Sequence, residues 1–236
     1  MQKTPAAYII NYILITISHC LVGKWVLPEG KMKKSNFFAF IFRMKYINRW
    51  ALMKNTRYEN VTEHSLEVSV IAHALALIQK NKLGNDKINP EKTAVYALYH
   101  DTSEIITGDL PTPVKYFNKS INVAYKELED RASKSILKML PDYLIKDYEN
   151  IFVVKEEDKE IWDTVKAADK ISAYLKCIDE ENSGNKEFHN AKETTLKALK
   201  NINRKDVEIF LEDFVDGFSL TLDEVGTSLD KTIEQT

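Results

Sequence analysis

The sequence predicts an all-α protein, on three observations. Seven Gly and six Pro in 236 residues are too few for the many tight turns of an all-β chain. Apolar residues recur at helical spacing, at i, i+3, i+4 and i+7. No short segment alternates apolar and polar positions as a half-buried strand would. Hydrophobic residues at 44% and charged residues at 29% are an ordinary globular balance and exclude a largely disordered chain.

The first element stands apart. Thr4 to Gly23 carry no charge, and such a run can span a bilayer or serve as a signal sequence. Asn11, Thr16, Ser18 and His19 weaken its apolarity, and no small-residue cleavage site follows. Three readings stay open: an anchor, translated sequence upstream of a start at Met32, or a helix packed on the domain. An anchor would leave the rest of the chain in the cytoplasm, because Lys24, Lys31, Lys33 and Lys34 follow the run and only Lys3 precedes it. The chain therefore divides into an apolar extension, residues 1–31, and one helical domain, residues 32–236, of about 8–10 helices.

Within that domain Gly and Pro fall where helices should stop. A first helix is expected from Ser35 to Ile47. A second starts near Thr62, a good N-cap, and runs to Lys82 before Gly84. A third opens with Asn89-Pro90-Glu91: cap, proline at the first helical position, acid in the first turn. It continues to Gly108. A fourth runs from Asn118 to Leu140 and is stopped by Pro141; a short one follows to Tyr148. A long helix spans Glu156 to Glu181, closed by Gly184. Two or three more cover Asn185 to Leu229.

Three helices carry polar residues where an apolar face should continue. In the third, Ala94, Ala97 and Leu98 begin a stripe that becomes His100, Asp101 and Glu104 one turn later. These three share a face, because Glu104 lies four residues after His100 and three after Asp101. In the long helix, Asp169 sits among Trp162, Val165, Ala168, Ser172 and Ala173. Burying a lone carboxylate costs several kcal/mol, and a metal ion would compensate. In the second helix His64 heads the stripe Val68, Ile71, Leu75. Two imidazoles and two carboxylates suit one divalent transition metal such as Mn, Co, Fe, Ni or Zn, whereas Mg prefers oxygen alone. Taken singly, each residue has a blander reading: a chance His-Asp pair, a surface histidine, a half-exposed helix acid. His73, beside Leu66, Val70 and Leu77, is expected to be a core histidine or a support to the site.

Two segments look like substrate contacts. Asn48-Arg49-Trp50 leaves the first helix, with a guanidinium fork for phosphate and a ring for a sugar or base. Gly108-Asp109-Leu110-Pro111-Thr112-Pro113 is stiff and starts beside the His-Asp pair. A net charge of −2 argues against a nucleic-acid polymer as partner. Cys20 and Cys177 offer neither a disulfide framework nor a thiolate zinc site, which suits a reducing compartment.

The arrangement resembles the HD superfamily of metal-dependent phosphohydrolases, and more closely the YfbR-type 5′-deoxynucleotidases. The likeness lies in INRW, ENVTEHS, YHDTSE, GDLPTPVKYF, KAADKISAYLKCIDE and FSLTLDEV, and covers Met32 to Val225. It implies an HD-type helical domain that hydrolyses deoxyribonucleoside 5′-monophosphates to deoxyribonucleoside and phosphate. The metal ligands would be His64, His100, Asp101 and Asp169, around one divalent ion such as Co or Mn. Glu104, with Asp101, would carry the catalysis, acting on the attacking water or as proton donor to the leaving alcohol. Arg49 would hold the 5′-phosphate. Trp50 would pack on the sugar and disfavour ribonucleotides. Asp109, Leu110, Pro111 and Thr112 would line the nucleoside side. A homodimer is implied, and the cysteine usage places it in the cytoplasm. Residues 1–31 have no counterpart in the family. Rival readings are an HD hydrolase of another nucleotide and a non-catalytic helical scaffold.

Overall fold

The computed structural model describes residues 34–115 and 117–233, with the side chains of Thr112 and of residues 228–233 left aside. The expectations for residues 1–31, including the run 4–23 and His19, lie outside the described residues. The helical domain is the unit Phe37–Thr236.

Among the described residues there is no strand, and the chain forms eleven α-helical segments, two of them single turns. Helix α1 (Phe37–Ile41) tightens into a 3-10 turn, Phe42–Tyr46. Next come α2 (Val61–Leu83), α3 (Pro90–Tyr99) and the single turns α4 (Glu104–Thr107) and α5 (Thr112–Lys115). Then follow α6 (Lys119–Leu137), α7 (Asp142–Phe152), α8 (Lys159–Asn182), α9 (His189–Asn201), α10 (Lys205–Phe214) and α11 (Leu222–Ile233).

Local chemistry accounts for the boundaries. Asn60, not Thr62, caps α2: its side chain accepts from Thr62 N (3.0 Å) and Glu63 N (3.1 Å), and Glu63 reaches back to Asn60 N (3.3 Å). That reciprocal pair satisfies amides that a helix start leaves orphaned. Gly84 closes α2 in the left-handed region at φ 70, where a Cβ would be strained. Asn89 and Asn118 cap α3 and α6.

Helix α2 is the axis, packed by α3, α8 and α10, with α9 laid on α8. Its Val68, Ala72, Leu75 and Ala76 are fully buried, against Val165, Ala168 and Ile171 of α8 in the same core. Each large aliphatic side chain buried there contributes about 1.5–3 kcal/mol. Among the described helices only α2 is long and apolar enough to cross a bilayer, and here it is the centre of a bundle. The opposite face of α2 corrects the expectation for His73. Leu66 and Val70 beside it are 59% and 64% exposed, and His73 is half-buried on the surface.

The third expected helix is broken. It ends at Tyr99 instead of reaching Gly108. His100 Nδ1 lies 2.7 Å from Ala97 O, and Thr102 Oγ1 donates to Tyr99 O at 2.8 Å. These side chains take up carbonyls that a continuing helix would have used. The amides of Thr102 and Glu104 then bond three residues back. His100, Asp101 and Glu104 therefore do not share one helical face; Asp101 sits in a turn and Glu104 opens α4.

Candidate active site

The site forms where the first turn of α2, the end of α3 and the middle of α8 meet. His64 Nε2 lies 3.1 Å from Asp169 Oδ1 and 3.5 Å from Asp101 Oδ2. His100 Nε2 lies 3.1 Å from the same Asp101 oxygen. Ligand atoms of His64, His100 and Asp169 all fall within 4.8 Å of one another. Asp101 adjoins this trio through both imidazoles, so groups from three distant stretches of chain come together.

The far side of each ring is committed. His64 Nδ1 is 3.1 Å from Ser172 Oγ and 3.5 Å from Glu59 Oε1. His100 Nδ1 faces the Ala97 carbonyl, so it carries the proton and leaves Nε2 a bare lone pair. That Nε2 is buried without a hydrogen-bond partner. Fixing the outer nitrogen so that the inner one can bind is how proteins prepare histidine ligands. A lone pair buried at this cost, beside two carboxylates, fits a divalent transition metal. Against burial and the Arg49 charge, hydrogen bonds to Asp169 and Glu59 raise the His64 pKa. Despite burial, the two histidines hold the Asp101 carboxyl low. The Asp169 side chain is 40% exposed, which leaves the cluster open on that side.

Arg49 lies at the rim. Its Nη1 contacts Glu59 Oε1 at 3.1 Å and its Nη2 lies 3.9 Å from Asp169 Oδ1. The backbone holds it there: Asn48 bridges Asn60, Arg49 N donates to Glu59 O (2.9 Å), and Val61 N to Ile47 O (2.9 Å). Trp50 follows with φ 55, a conformation that costs a bulky residue about 1–3 kcal/mol and collects at functional sites. Burial raises the Asp109 pKa, while the Arg49 charge and the Trp50 backbone favour its ionised form, so the two expected substrate segments act on each other. Leu110 and Pro111 continue that half-buried stretch. Thr112 is the first residue of α5.

Glu104 is 7% exposed and its Oε2 has no partner. Burial, then the charges of Asp101 and Asp109, raise its pKa well above the ordinary carboxylate value. Lys115, which also acts on Glu104, is paired with Glu129 at 2.8 Å.

Two side chains were missed from sequence. Glu59 joins Arg49 to His64, yet it lies in a loop with no periodicity to mark it. Ser172 was visible only as a small residue on the stripe of α8; its hydroxyl bonds His64 Nδ1 and reaches Glu67 at 3.2 Å.

A bundle of helices that brings two imidazoles and two carboxylates to one partly open point has the architecture of an HD-domain phosphohydrolase. Solved structures agree on the fold. An HD-domain phosphohydrolase from Listeria innocua superposes with a TM-score of 0.65 at 22% identity, covering 85% of this chain and 96% of that one. A cyanophage S-2L HD phosphohydrolase, bound to dA and one catalytic zinc ion, superposes with a TM-score of 0.51 at 18% identity, covering 84% and 96%. Residues 36–218 match the family described as YfbR-like 5′-deoxynucleotidase, and the chain belongs to that family. A 5′-deoxynucleotidase of Photobacterium profundum is 46% identical over 82% of this chain and 100% of its own length. One from Photorhabdus temperata is 48% identical over 83% and 98%.

Proposed function

We propose that the protein hydrolyses deoxyribonucleoside 5′-monophosphates, with water, to deoxyribonucleoside and inorganic phosphate. The observation that carries this reading is the placement of Arg49, 3.9 Å from Asp169 at the rim of the His64–His100–Asp101–Asp169 cluster, with the buried Glu104 behind. Family membership and the relatives named above support the same reaction.

In this reading His64, His100, Asp101 and Asp169 hold one divalent transition ion, such as Co or Mn. When bound, the ion supplies Lewis-acid stabilisation of phosphate charge and a more acidic water. Arg49 binds non-bridging oxygens of the 5′-phosphate through its planar fork. Glu59, pressed on the other side of that guanidinium, fixes its direction. Water attacks phosphorus and the bond to the 5′-oxygen breaks. Burial and the charges of Asp101 and Asp109 raise the Glu104 pKa and so favour its acid form, which suits it to give a proton to the leaving 5′-alkoxide. Trp50 packs on the sugar, and Asp109, Leu110, Pro111 and Thr112 line the nucleoside side. The protein works in the cytoplasm as a homodimer, for which the exposed Leu66 and Val70 of α2 leave apolar surface.

The test is phosphate release from deoxy- and ribonucleoside 5′-monophosphates with Co, Mn, Zn or Mg added to chelated protein. Turnover of the deoxy substrates with a transition ion is the expected result. Turnover of nucleoside triphosphates alone would replace this substrate, and no turnover under any ion would leave a helical scaffold.

A further inference from the structure

Helix α8 carries a fully buried charge about 16 Å further along its axis than Asp169, at 1.5 Å per residue. It belongs to Glu180, whose side chain is shut off from solvent. The carboxylate accepts from Thr56 N (2.9 Å), Thr56 Oγ1 (2.6 Å), Arg57 N (3.3 Å) and Asn185 Nδ2 (2.7 Å), and it pairs with the Lys176 ammonium. Lys176 Nζ donates in turn to Arg57 O at 2.6 Å, and Asn185 Nδ2 to Lys54 O at 2.7 Å. These groups grip the backbone of one loop, the loop that carries Arg49 and Trp50 at one end and Glu59 at the other.

A buried ion pair is weak evidence for stability, because desolvation offsets most of the attraction. Its aim is more informative. Trp50 is held at φ 55, a backbone conformation that persists only where the surroundings impose it. Its carbonyl accepts from Met53 N (2.9 Å) and Asn55 Nδ2 (3.1 Å). Its ring lies 5.4 Å from Phe188, which is fully buried, and Lys176 Nζ lies 5.7 Å from the Phe188 ring centre. Contact therefore runs from Glu180 through Lys176 and Phe188 to Trp50. Helix α8 thus references both the ligand cluster, through Asp169 and Ser172, and the loop that faces it.

Resting on the function proposed above, we propose that Glu180 is a positioning residue: by clamping residues 54–57 it holds Trp50 against the sugar and sets the preference for deoxyribose over ribose. A wall discriminates against one added hydroxyl only if it cannot retreat. A loosened loop would admit the ribose and hold either substrate less well.

The experiment uses the full chain, loaded with metal, as wild type, Thr56→Ala, Thr56→Ser and Glu180→Gln. It measures kcat and KM for deoxyadenosine and adenosine 5′-monophosphates, with metal content as a control. Thr56→Ala removes one hydroxyl and leaves the ion pair intact, so it tests the clamp even if Glu180→Gln fails to fold. It should raise KM for the deoxy substrate about threefold to tenfold, the scale of one hydrogen bond, with kcat and metal content little changed. The deoxy-to-ribo ratio of kcat/KM should fall, and Thr56→Ser should restore it. Wild-type KM and ratio in Thr56→Ala, whatever its melting temperature, would reduce the clamp to a stability feature. A wild-type protein inactive on both nucleotides would instead overturn the function and the clamp together.

Discussion

The Glu59 carboxylate and the Arg49 guanidinium meet at 3.1 Å. The same oxygen, Oε1, lies 3.5 Å from His64 Nδ1. One buried acid thus orients the proposed phosphate-binding cation and an imidazole of the metal cluster. Glu59→Gln should weaken metal affinity by roughly 10- to 100-fold, as loss of such outer partners does, and raise KM. Titration of chelated protein with Co, followed by kinetics at saturating metal, measures both. Unchanged values would leave Glu59 a packing residue.

Asp101 stands between the two histidines, 3.5 Å from His64 Nε2 and 3.1 Å from His100 Nε2. Asp101→Ala should lose bound metal and activity together, and chelation of the wild type should reproduce that loss until metal is restored. Metal analysis alongside phosphate release decides. A variant that keeps full metal and turnover would remove Asp101 from the ligand set.

Glu104 is separable from the ligands. Glu104→Ala should cut kcat by about 10²–10⁴, the range for general acid–base catalysis, with metal content unchanged. Near-normal turnover would assign the proton transfer elsewhere.

Gly108 links α4 to the Asp109–Pro111 stretch at φ 71 and ψ 164, a region essentially closed to residues with a side chain. A Cβ there would meet nothing within 4 Å, so the cost of Gly108→Ala is backbone strain alone, about 1–3 kcal/mol. The melting temperature should fall, with KM affected more than kcat because Asp109 shifts. A melting temperature at or above wild type would show that the loop relaxes freely.

Acid should loosen the clamp. Despite burial, hydrogen bonds from Lys176, Thr56 and Asn185 hold the Glu180 carboxyl down at about 2, against an ordinary 4.5. A depressed folded-state pKa gives stability that is complete above about 4.5 and lost as pH falls toward 2. Urea midpoints should therefore hold between pH 7 and 5 and drop below 4.5. Glu180→Gln, less stable at pH 7, should show a shallower drop. Parallel curves would place the acid sensitivity in other carboxylates.

Helix identity and most helix ends were legible because caps, glycines and apolar spacing act within a few residues. The odd polar residues on apolar faces, His64, His100-Asp101 and Asp169, were visible for the same reason: a local pattern makes each one anomalous. What failed was continuity. The break after Tyr99 depends on side chains of His100 and Thr102 turning back onto carbonyls, which competes with a helix the apolar pattern alone would extend. The expected apolar setting of His73 failed because the same spacing fits a buried face or an exposed one.

By itself, then, the sequence determined an all-α chain, its segments, and which polar residues needed explaining, since those follow from interactions among neighbours. Only the tertiary structure decided that Glu59 touches both Arg49 and His64, that Ser172 backs the first imidazole, and that Glu180 grips a loop more than 120 residues away. Such contacts depend on how α2, α3 and α8 pack in space, and no spacing along the chain encodes them.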